Sequence, residues 1–297
     1  TCTNHNWPER SECHKCPYFC RQRKSPDGID QNEYLKTVVN EGLPLERVHI
    51  GHDEIGKFPL LIPTRTNELD ENVRLLFDWV GVDAKYLFSR HKIQHVIARS
   101  YLHSRTSTEK FLRISPRTKL LAVLNGKDDI LEGFWGMDRN DFYNLMKRCG
   151  FIALTGPTFS VIDESQGFPA FHNVCMLLRH HRVAQEAHKN RLISIPNLYW
   201  RNDKDISNWI DWIRDNKNIQ FISRDFSRTK NWFSFRTQFS EFVSVISEVK
   251  RNLHVFLVGV GINKAEEVIR RIRTHNCSCS ILTSEPIMDA IVRGVEI

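Results

Sequence analysis

The feature that most constrains the fold is a regular alternation of apolar segments and helical segments that begins near residue 118. The apolar segments are KLLAVLN (119–125), FIALTG (151–156), RLISIPN (191–197), IQFIS (219–223), HVFLVGVG (254–261) and CSILTS (279–284). Continuous apolar strands are what a parallel sheet covered on both faces requires. Consecutive β–α repeats therefore predict either a doubly wound open sheet or a closed (β/α)8 barrel.

Two observations favour the barrel. Each predicted strand ends in a polar or small loop of its own, as a ring of βα loops would, and no G-x-G-x-x-G turn follows a first strand. The turn GVGIN after the 254–261 strand is typical of the phosphate-binding turn of many barrels. A barrel takes about 250 residues, so the 297-residue chain fits one barrel plus a small extra module. We predict an α/β chain with a TIM-like barrel over 31–297.

The predicted helices between these strands are DRNDFYNLMKRCG, NVCMLLRHHRVAQEAHKN, DISNWIDWIRDNK, FRTQFSEFVSVISEVKRN and NKAEEVIRRIRTH. Residues 31–117 are less regular, and strands 1 and 2 are poorly defined there. The segment NELDENVRLLFDWVG predicts an amphipathic helix with Val73, Leu76, Phe77 and Val80 on one face. HKIQHVIARSYL fits either a strand or a helix. The basic residues of 179–191 are typical of a solvated outer helix face.

Residues 1–30 form a separate cysteine-rich segment. Cys13, Cys16 and Cys20 have metal-ligand spacing, and Cys2, His5 or His14 is available as the fourth of the groups that tetrahedral zinc needs. Cys2 is our first choice. A short segment with little apolar content would fold around the ion. The sequence predicts a structural zinc module here, with an iron–sulfur cluster or no metal as the alternatives.

Charge suggests the partner. Lys and Arg exceed Asp and Glu, which gives a net charge of +7 and favours a polyanion such as nucleic acid. No apolar run approaches the roughly 20 residues that span a bilayer, and the N-terminus does not resemble a signal peptide. We expect no membrane association and a cytoplasmic location.

Catalytic groups of a barrel lie at the carboxyl ends of its strands. Asp225 directly follows a strand between two arginines, where a carboxylate could act as nucleophile or stabilise positive charge. Its alternative role is an ion pair that holds the loop. Asp163 is the second candidate, although it could instead begin a helix. Thr158 lies near it as a substrate contact.

Two loops combine aromatic and basic residues. NLYWRND contains Asn197, Tyr199, Trp200 and Arg201, which predicts a base stacked on a ring and read by the amide, with packing under the loop as the alternative. SRDFSRTKNWFSFR adds the predicted substrate contacts Arg224, Arg228 and Lys230. Cations interleaved with aromatic rings are how single-stranded or flipped-out nucleic acid is bound.

The C-terminal half resembles the tRNA-guanine transglycosylase superfamily, including relatives that act on DNA. FLVGVGINKAEEVIRRIR is similar to the family's Gly-Val-Gly turn and acidic helix, and TGPTFSV at 155–161 looks like its Ser-Gly-Gly-Phe-Gln strand end. The resemblance covers about residues 150–290. It implies a barrel that breaks the N-glycosidic bond of a base in nucleic acid.

The chain departs from that family at its catalytic positions. Leu154 stands where the family has an Asp, the family's nucleophile would fall near Cys279, and the cysteine cluster precedes the barrel. We therefore predict base removal by water rather than base exchange: a DNA glycosylase-like enzyme of repair or antiviral defence, using Asp225 and Asp163.

Two alternatives remain. One is a metal-dependent barrel hydrolase that uses His49, His52 and Asp53 of the HIGHDE string, which ends in Glu54, together with other acids at strand ends. The other is a non-catalytic nucleic-acid-binding protein.

Overall fold

The structure is a computed structural model that describes residues 41–43, 45–48, 50, 57–65, 75–92, 95–161, 170–229 and 231–293. The predicted cysteine module at 1–30 lies outside these residues. Ten strands are present in the described part of the chain: β1 (Leu61–Arg65), β2 (Trp79–Asp83), β3 (Phe88–Lys92), β4 (His95–Ala98), β5 (Lys119–Val123), β6 (Phe151–Thr155), β7 (Ile193–Ile195), β8 (Phe221–Asp225), β9 (His254–Val258) and β10 (Ser278–Thr283).

Eight of the strands form one parallel sheet in the order β7-β6-β5-β2-β1-β10-β9-β8. The two outer strands approach each other through a parallel bridge between Asn197 and Ser223. There the amide of Leu198 donates to the Ser223 carbonyl (2.8 Å), and the amide of Ser223 donates to the Pro196 carbonyl (2.7 Å). The sheet is thus a nearly closed, TIM-like barrel, and all six strands predicted after residue 118 are confirmed.

The described residues form nine helices: α1 (Ala84–Leu87), α2 (Arg105–Leu112), α3 (Asp128–Gly136), α4 (Arg139–Arg148), α5 (Ala170–Lys189), α6 (Asp203–Asp215), α7 (Trp232–Val249), α8 (Ile262–Arg273) and α9 (Glu285–Arg293). The five predicted helices correspond to α4 through α8. Several begin at a polar residue whose side chain accepts from the first turn, as Asn202 does from Asp205 and Asn231 from Ser234. None of these helices is long and apolar enough to cross a membrane.

In the region before residue 118, the helix predicted over residues 67–81 is wrong in part. Residues 79–81 of the predicted 67–81 helix belong to strand β2, and Leu75 already pairs with Ile114 in a parallel bridge. Trp79, Val80 and Val82 are all buried because one set of side chains faces the barrel interior and the other the surrounding helices. Residues 91–92 and 95–98 of HKIQHVIARSYL are strand, and they belong to the antiparallel pair β3–β4, which lies between β2 and β5 in the sequence.

The segment before the barrel packs along the outside of two helices. Leu43, Val48 and Ile50 are buried in the same apolar cluster as Trp212 of α6. The Leu43 amide donates to Asp205 Oδ1 (2.8 Å), and Trp212 Nε1 donates to the Glu46 carbonyl (2.7 Å). This stretch of the chain therefore contributes to the outer core of the barrel.

The basic face predicted for 179–191 is partly wrong. Arg179, His180 and His181 are at most 1% exposed on α5. His181 stacks on Trp212 at 5.5 Å between ring centroids, and its Nδ1 accepts from the Glu46 amide (3.2 Å). The periodicity of the sequence did not separate this buried side of the helix from the solvated one.

Candidate active site at the barrel mouth

The carboxyl ends of the eight parallel strands meet at one end of the barrel, here called the barrel mouth. Polar residues lie at these strand ends: Thr64, Asp83, Asn125, Thr155, Asn197 and Asp225. Barrel enzymes hold their catalytic groups at this end because each strand contributes its last residues to a common rim. Two of the residues are carboxylates, Asp83 on β2 and Asp225 on β8.

Both carboxylates face the barrel interior. Trp79 on β2 and Phe221 on β8 pack in the interior cluster, and residues two and four positions along a strand face the same side. Asp83 and Asp225 are each four positions further on. Because β2 and β8 lie four strands apart in the ring, the two carboxylates approach from opposite walls.

Asp83 lies in the environment expected of a proton donor. Desolvation by burial is the main reason that its pKa is raised to about 7; the ammonium group of Lys85 opposes the shift and the negative charge of Asp225 adds to it. A carboxyl group with this pKa is substantially protonated at neutral pH. It can therefore give a proton to a substrate under physiological conditions.

Asp225 lies in a different environment. Its Oδ1 accepts a hydrogen bond from the Ser227 amide at 2.8 Å, which fixes the orientation of the carboxylate. The turn is braced by Gly259, whose φ is +75° and where a Cβ would lie 2.6 Å from the Ser227 nitrogen. Glycine at 259 thus lets the loop after β9 pack directly on the turn that orients Asp225.

The interior just below the carboxylates contains an unusual combination of small and polar groups. Gly81 lies two residues before Asp83 on the same face, and a Cβ at this position would meet the side chains of Val123 (3.3 Å) and Thr64 (3.4 Å). The Thr64 hydroxyl is buried and has no hydrogen-bond partner among the described residues. Native proteins rarely leave such groups unpaired. A ligand atom entering the mouth would find a donor here.

The loops after β5 and β6 present two further unpaired oxygens. Asn125 Oδ1 and the predicted substrate contact Thr158 Oγ1 are both buried without a partner in the described part of the chain. The Thr158 amide donates to the Leu124 carbonyl (3.2 Å), which fixes this loop beside the end of β5. Thr158 thus remains within the candidate site.

Asn197 is held at the mouth by a buried histidine. The Asn197 amide donates to His180 Nε2 (3.3 Å), so the His180 Nδ1–H donates to the Pro157 carbonyl (3.0 Å). Desolvation lowers the pKa of His180 to about 4, against the opposing effect of that carbonyl, and keeps the ring neutral. A Cβ at Gly156 would lie 2.2 Å from the His180 ring. His180 therefore fixes the β6 and β7 loops relative to each other.

Arg228 extends across the rim. Its side chain is exposed, and Nη2 donates to the carbonyl of Gly126 in the loop after β5 (3.0 Å). Since β8 and β5 are not neighbours in the sheet, this contact carries part of the 226–229 loop over the mouth. The position suits the predicted contact with substrate.

Four other residues that the sequence predicted to contact the substrate are engaged in packing instead: Trp200, Arg224, Tyr199 and Arg201. Trp200 Nε1 donates to Glu241 Oε2 (3.0 Å), and the guanidinium of Arg224 covers its ring at 4.1 Å. Arg224 is buried, also donates to the Leu198 carbonyl (2.7 Å), and has a pKa that desolvation lowers to about 10. These contacts pack Trp200 and Arg224 between β8 and α7, so we leave both out of the proposed site.

Tyr199 and Arg201 are likewise engaged in packing. The Tyr199 ring lies against His180 (5.4 Å), and burial raises the pKa of its hydroxyl. Arg201 and Asp205 form an ion pair at 2.7 Å whose side chains are 3% and 2% exposed. A guanidinium in this position is not available to a phosphate, and the proposed site excludes it.

The GVGIN turn does not favour a phosphate site. The Glu285 carboxylate accepts from the amide of Ile262 at the start of α8, which is where an anion would bind. A Cβ at Gly261 would lie 2.8 Å from Glu285 Oε1. The protein thus supplies its own anion at this helix terminus.

Several predicted residues lie outside the described residues: Asp163, Lys230, Cys2, Cys13, Cys16, Cys20, His49, His52, Asp53 and Glu54. Their predicted roles stay predictions. Within the part of the chain that the structure describes, no group of three or more His, Cys, Asp or Glu side chains could bind a metal ion.

A surface groove of about 770 Å³ lies elsewhere, between α4 and the β3–β4 pair. Its lining includes Met137, Leu145 and Arg148. Helix α4 runs back from the barrel mouth, so Arg148 at its end lies near the opposite end of the barrel. The inward carboxylates, rather than this groove, are the better candidate for chemistry.

Asp83 is the candidate site residue that the sequence analysis missed. WVGVD has the same form as FISRD, a short apolar run ending in Asp, but the preceding VRLLF favoured a helix. Comparison with known proteins gives no further guide to the site: no family model matches the chain, and no curated protein matches it significantly.

Proposed function

We propose that the protein hydrolyses the N-glycosidic bond of a base in nucleic acid, with DNA as the preferred substrate. One observation carries the proposal: two inward carboxylates on opposite barrel walls, one desolvated and one hydrogen-bonded to a backbone amide. Glycosidic bond hydrolysis uses such a pair, one acid and one carboxylate in unlike environments.

In this proposal Asp83 is the general acid. Its proton passes to the departing base as the bond between C1′ and the base nitrogen breaks, and the bonding electron pair leaves with the base. A positioned general acid typically accelerates a reaction by about 10²–10⁴-fold. The raised pKa of Asp83 keeps the proton available at neutral pH.

Asp225 acts on the sugar. Its negative charge stabilises the positive charge that develops at C1′, and it accepts a proton from the water molecule that attacks this carbon. The products are a free base and a sugar with a hydroxyl group at C1′. Proton exchange with solvent then restores both carboxyl groups.

The remaining contacts orient the base. The unpaired oxygens of Thr64, Asn125 and Thr158 and the side-chain amide of Asn197 are the groups that would meet its polar edge, and Arg228 would bind a phosphate. Asp163, Lys230 and the structural zinc module stay as predictions from the sequence. Repair and antiviral defence are the settings that this activity suits.

Direct detection of released base tests the proposal. The full chain is incubated with plain and modified single-stranded and duplex DNA and RNA, and free bases are measured by mass spectrometry. We expect release that falls at least about 100-fold in Asp83→Asn and Asp225→Asn. Asp211→Asn, an exposed acid paired only with Arg214 on α6, is the matched control and should stay active.

Two outcomes would contradict the proposal. One is the absence of released base on every substrate with a folded, zinc-loaded protein. The other is activity abolished by a chelator under conditions that keep the N-terminal module loaded, since two repelling carboxylates also attract a divalent cation. The second outcome would favour the metal-dependent hydrolase. Binding of nucleic acid without any release would favour the non-catalytic alternative.

A further inference from the structure

The start of α7 presents two exposed aromatic rings beside the barrel mouth. Trp232 is 44% exposed and Phe233 is 80% exposed. Because α7 follows β8, its first turn lies at the same end of the barrel as Asp225. The other aromatic residues of this segment, Phe226 and Phe235, are buried in the outer core. Only Trp232 and Phe233 can therefore meet a partner.

Two cations lie beside the Trp232 ring. Lys264 Nζ lies 5.5 Å from the Trp232 ring centroid, and the Arg236 guanidinium lies 5.8 Å from it. Arg228 is exposed on the loop that leads into α7. The first turns of α7 and α8 contain no acidic residue of their own, and the Glu285 carboxylate accepts from the amide of Ile262 at the start of α8. The patch formed by Trp232, Phe233, Arg236 and Lys264 is here called the rim platform.

One face of Trp232 is already covered. Its ring stacks on Phe235 at 5.7 Å and an interplanar angle of 22°, which holds the indole in a fixed orientation. Phe233 has no such neighbour among the ring contacts of the described residues. Two neighbouring exposed aromatic rings form an apolar patch, and such a patch can mark an interaction site.

We propose that the rim platform binds an unpaired nucleic-acid strand, with bases on Trp232 and Phe233 and phosphates on Arg236 and Lys264. Charge complementarity selects this occupant, because the chain carries a net charge of +7 and the platform combines cations with π faces. Stacking needs the open face of a base, which a duplex does not offer. The inference rests on the proposed nucleic-acid substrate but not on bond cleavage.

Fluorescence anisotropy with labelled oligonucleotides tests the platform. The probes are a single strand of mixed DNA sequence, its duplex, and a single strand of RNA of the same sequence. Phe233→Ala and Trp232→Ala should each weaken single-strand binding by about 5- to 100-fold, the value of one stacked base. Arg236→Gln and Lys264→Gln should each lower the slope of log affinity against log salt by about one.

Matched controls separate binding from folding and from chemistry. Leu76→Ala removes another exposed apolar side chain, 70% exposed and before β2, and should leave affinity unchanged. Asp211→Asn, at an exposed acid of α6 outside the proposed site, should bind single strands as the parent chain does. If the aromatic variants lose equal affinity for the DNA and RNA probes, the platform binds single strands of either kind. If they lose affinity for one probe alone, the platform binds that nucleic acid.

Unchanged single-strand affinity in both aromatic variants would overturn the proposal. So would duplex binding that is as tight as single-strand binding, or no binding to any of the three probes. These results differ from a failed glycosidase test, in which base release is absent but the aromatic variants still bind more weakly.

Discussion

The two ends of the barrel are built in opposite ways. At the amino-terminal end, the Phe58 ring contacts Trp79 (4.6 Å), Phe256 (4.8 Å), Phe221 (5.3 Å) and the His254 ring (5.3 Å), and it covers the interior. At the mouth, facing carboxylates lie above Gly81 and the unpaired hydroxyl of Thr64. Packing at the closed end stabilises the fold, while the mouth retains groups that cost stability and suit chemistry.

Removing the aromatic cover should produce the largest stability change. Phe58→Ala deletes the ring that touches four others, and we expect a loss of about 3 kcal/mol in the free energy of unfolding. Urea denaturation measures it. Leu76→Ala is the control, with an expected change within about 0.5 kcal/mol. A loss of under 1 kcal/mol for Phe58→Ala would mean that the closed end is not a stabilising cluster.

Neutralising Asp83 should increase stability. Its folded pKa of about 7 lies above its unfolded value, so ionisation penalises the native state as pH rises from about 4 to 7. Asp83→Asn removes that penalty. Its gain in the free energy of unfolding over the parent chain should be roughly 2–3 kcal/mol larger at pH 8 than at pH 5. Denaturation at both pH values measures the gain. A gain independent of pH would show that Asp83 is not desolvated.

His254 at the closed end should respond to pH in the opposite direction. Its Nε2–H donates to Ser280 Oγ, its Nδ1 accepts from Ser278 Oγ, and desolvation lowers its pKa to about 4. The neutral ring is favoured in the fold, so stability is present above about pH 6.5 and is lost as pH falls toward 4.

His254→Gln should remove part of this acid sensitivity. Between pH 7 and pH 5 the parent chain should lose roughly 2 kcal/mol of its free energy of unfolding through His254, and the variant should not show this loss. The same denaturation experiment, run on Asp83→Asn as well, compares the two ends directly. If the stability of both variants, relative to the parent chain, changed with pH in the same direction, the closed end and the mouth would not differ in the way described.

The smallest effect is expected at Trp200. Trp200→Phe keeps the ring beneath Arg224 but removes the hydrogen bond to Glu241, at a cost of about 1 kcal/mol. Nucleic-acid affinity by anisotropy should not change. A loss of affinity without a loss of stability would restore the stacking role that the sequence suggested.

The alternation of strands and helices made the second half of the barrel predictable. Parallel strands buried on both faces produce unbroken apolar runs, and Asp225 could be placed at the end of one of them. Strand β2 was missed because VRLLFDWVGVD satisfies a helical period through Val80, which is already inside the strand. Asp83 went unnoticed with it.

Partners distant in the sequence explain the other differences. Trp200 and Arg201 look like surface groups in NLYWRND, yet Trp200 meets Glu241 41 residues later, and Arg201 turns back to Asp205. A basic-aromatic composition predicts a nucleic-acid surface only for the residues that packing leaves exposed. Trp232 and Phe233 meet that condition, and Tyr199 and Trp200 do not.

The pH dependence of base release tests the central claim most directly. A general acid must be protonated, so the rate of free-base release at low substrate should fall as pH rises through about 7, the pKa of Asp83. Asp83→Asn should be slower by at least about 100-fold and should lack this descending limb. A rate that increases through pH 7, or an identical profile in Asp83→Asn, would contradict the assignment of Asp83 as the acid.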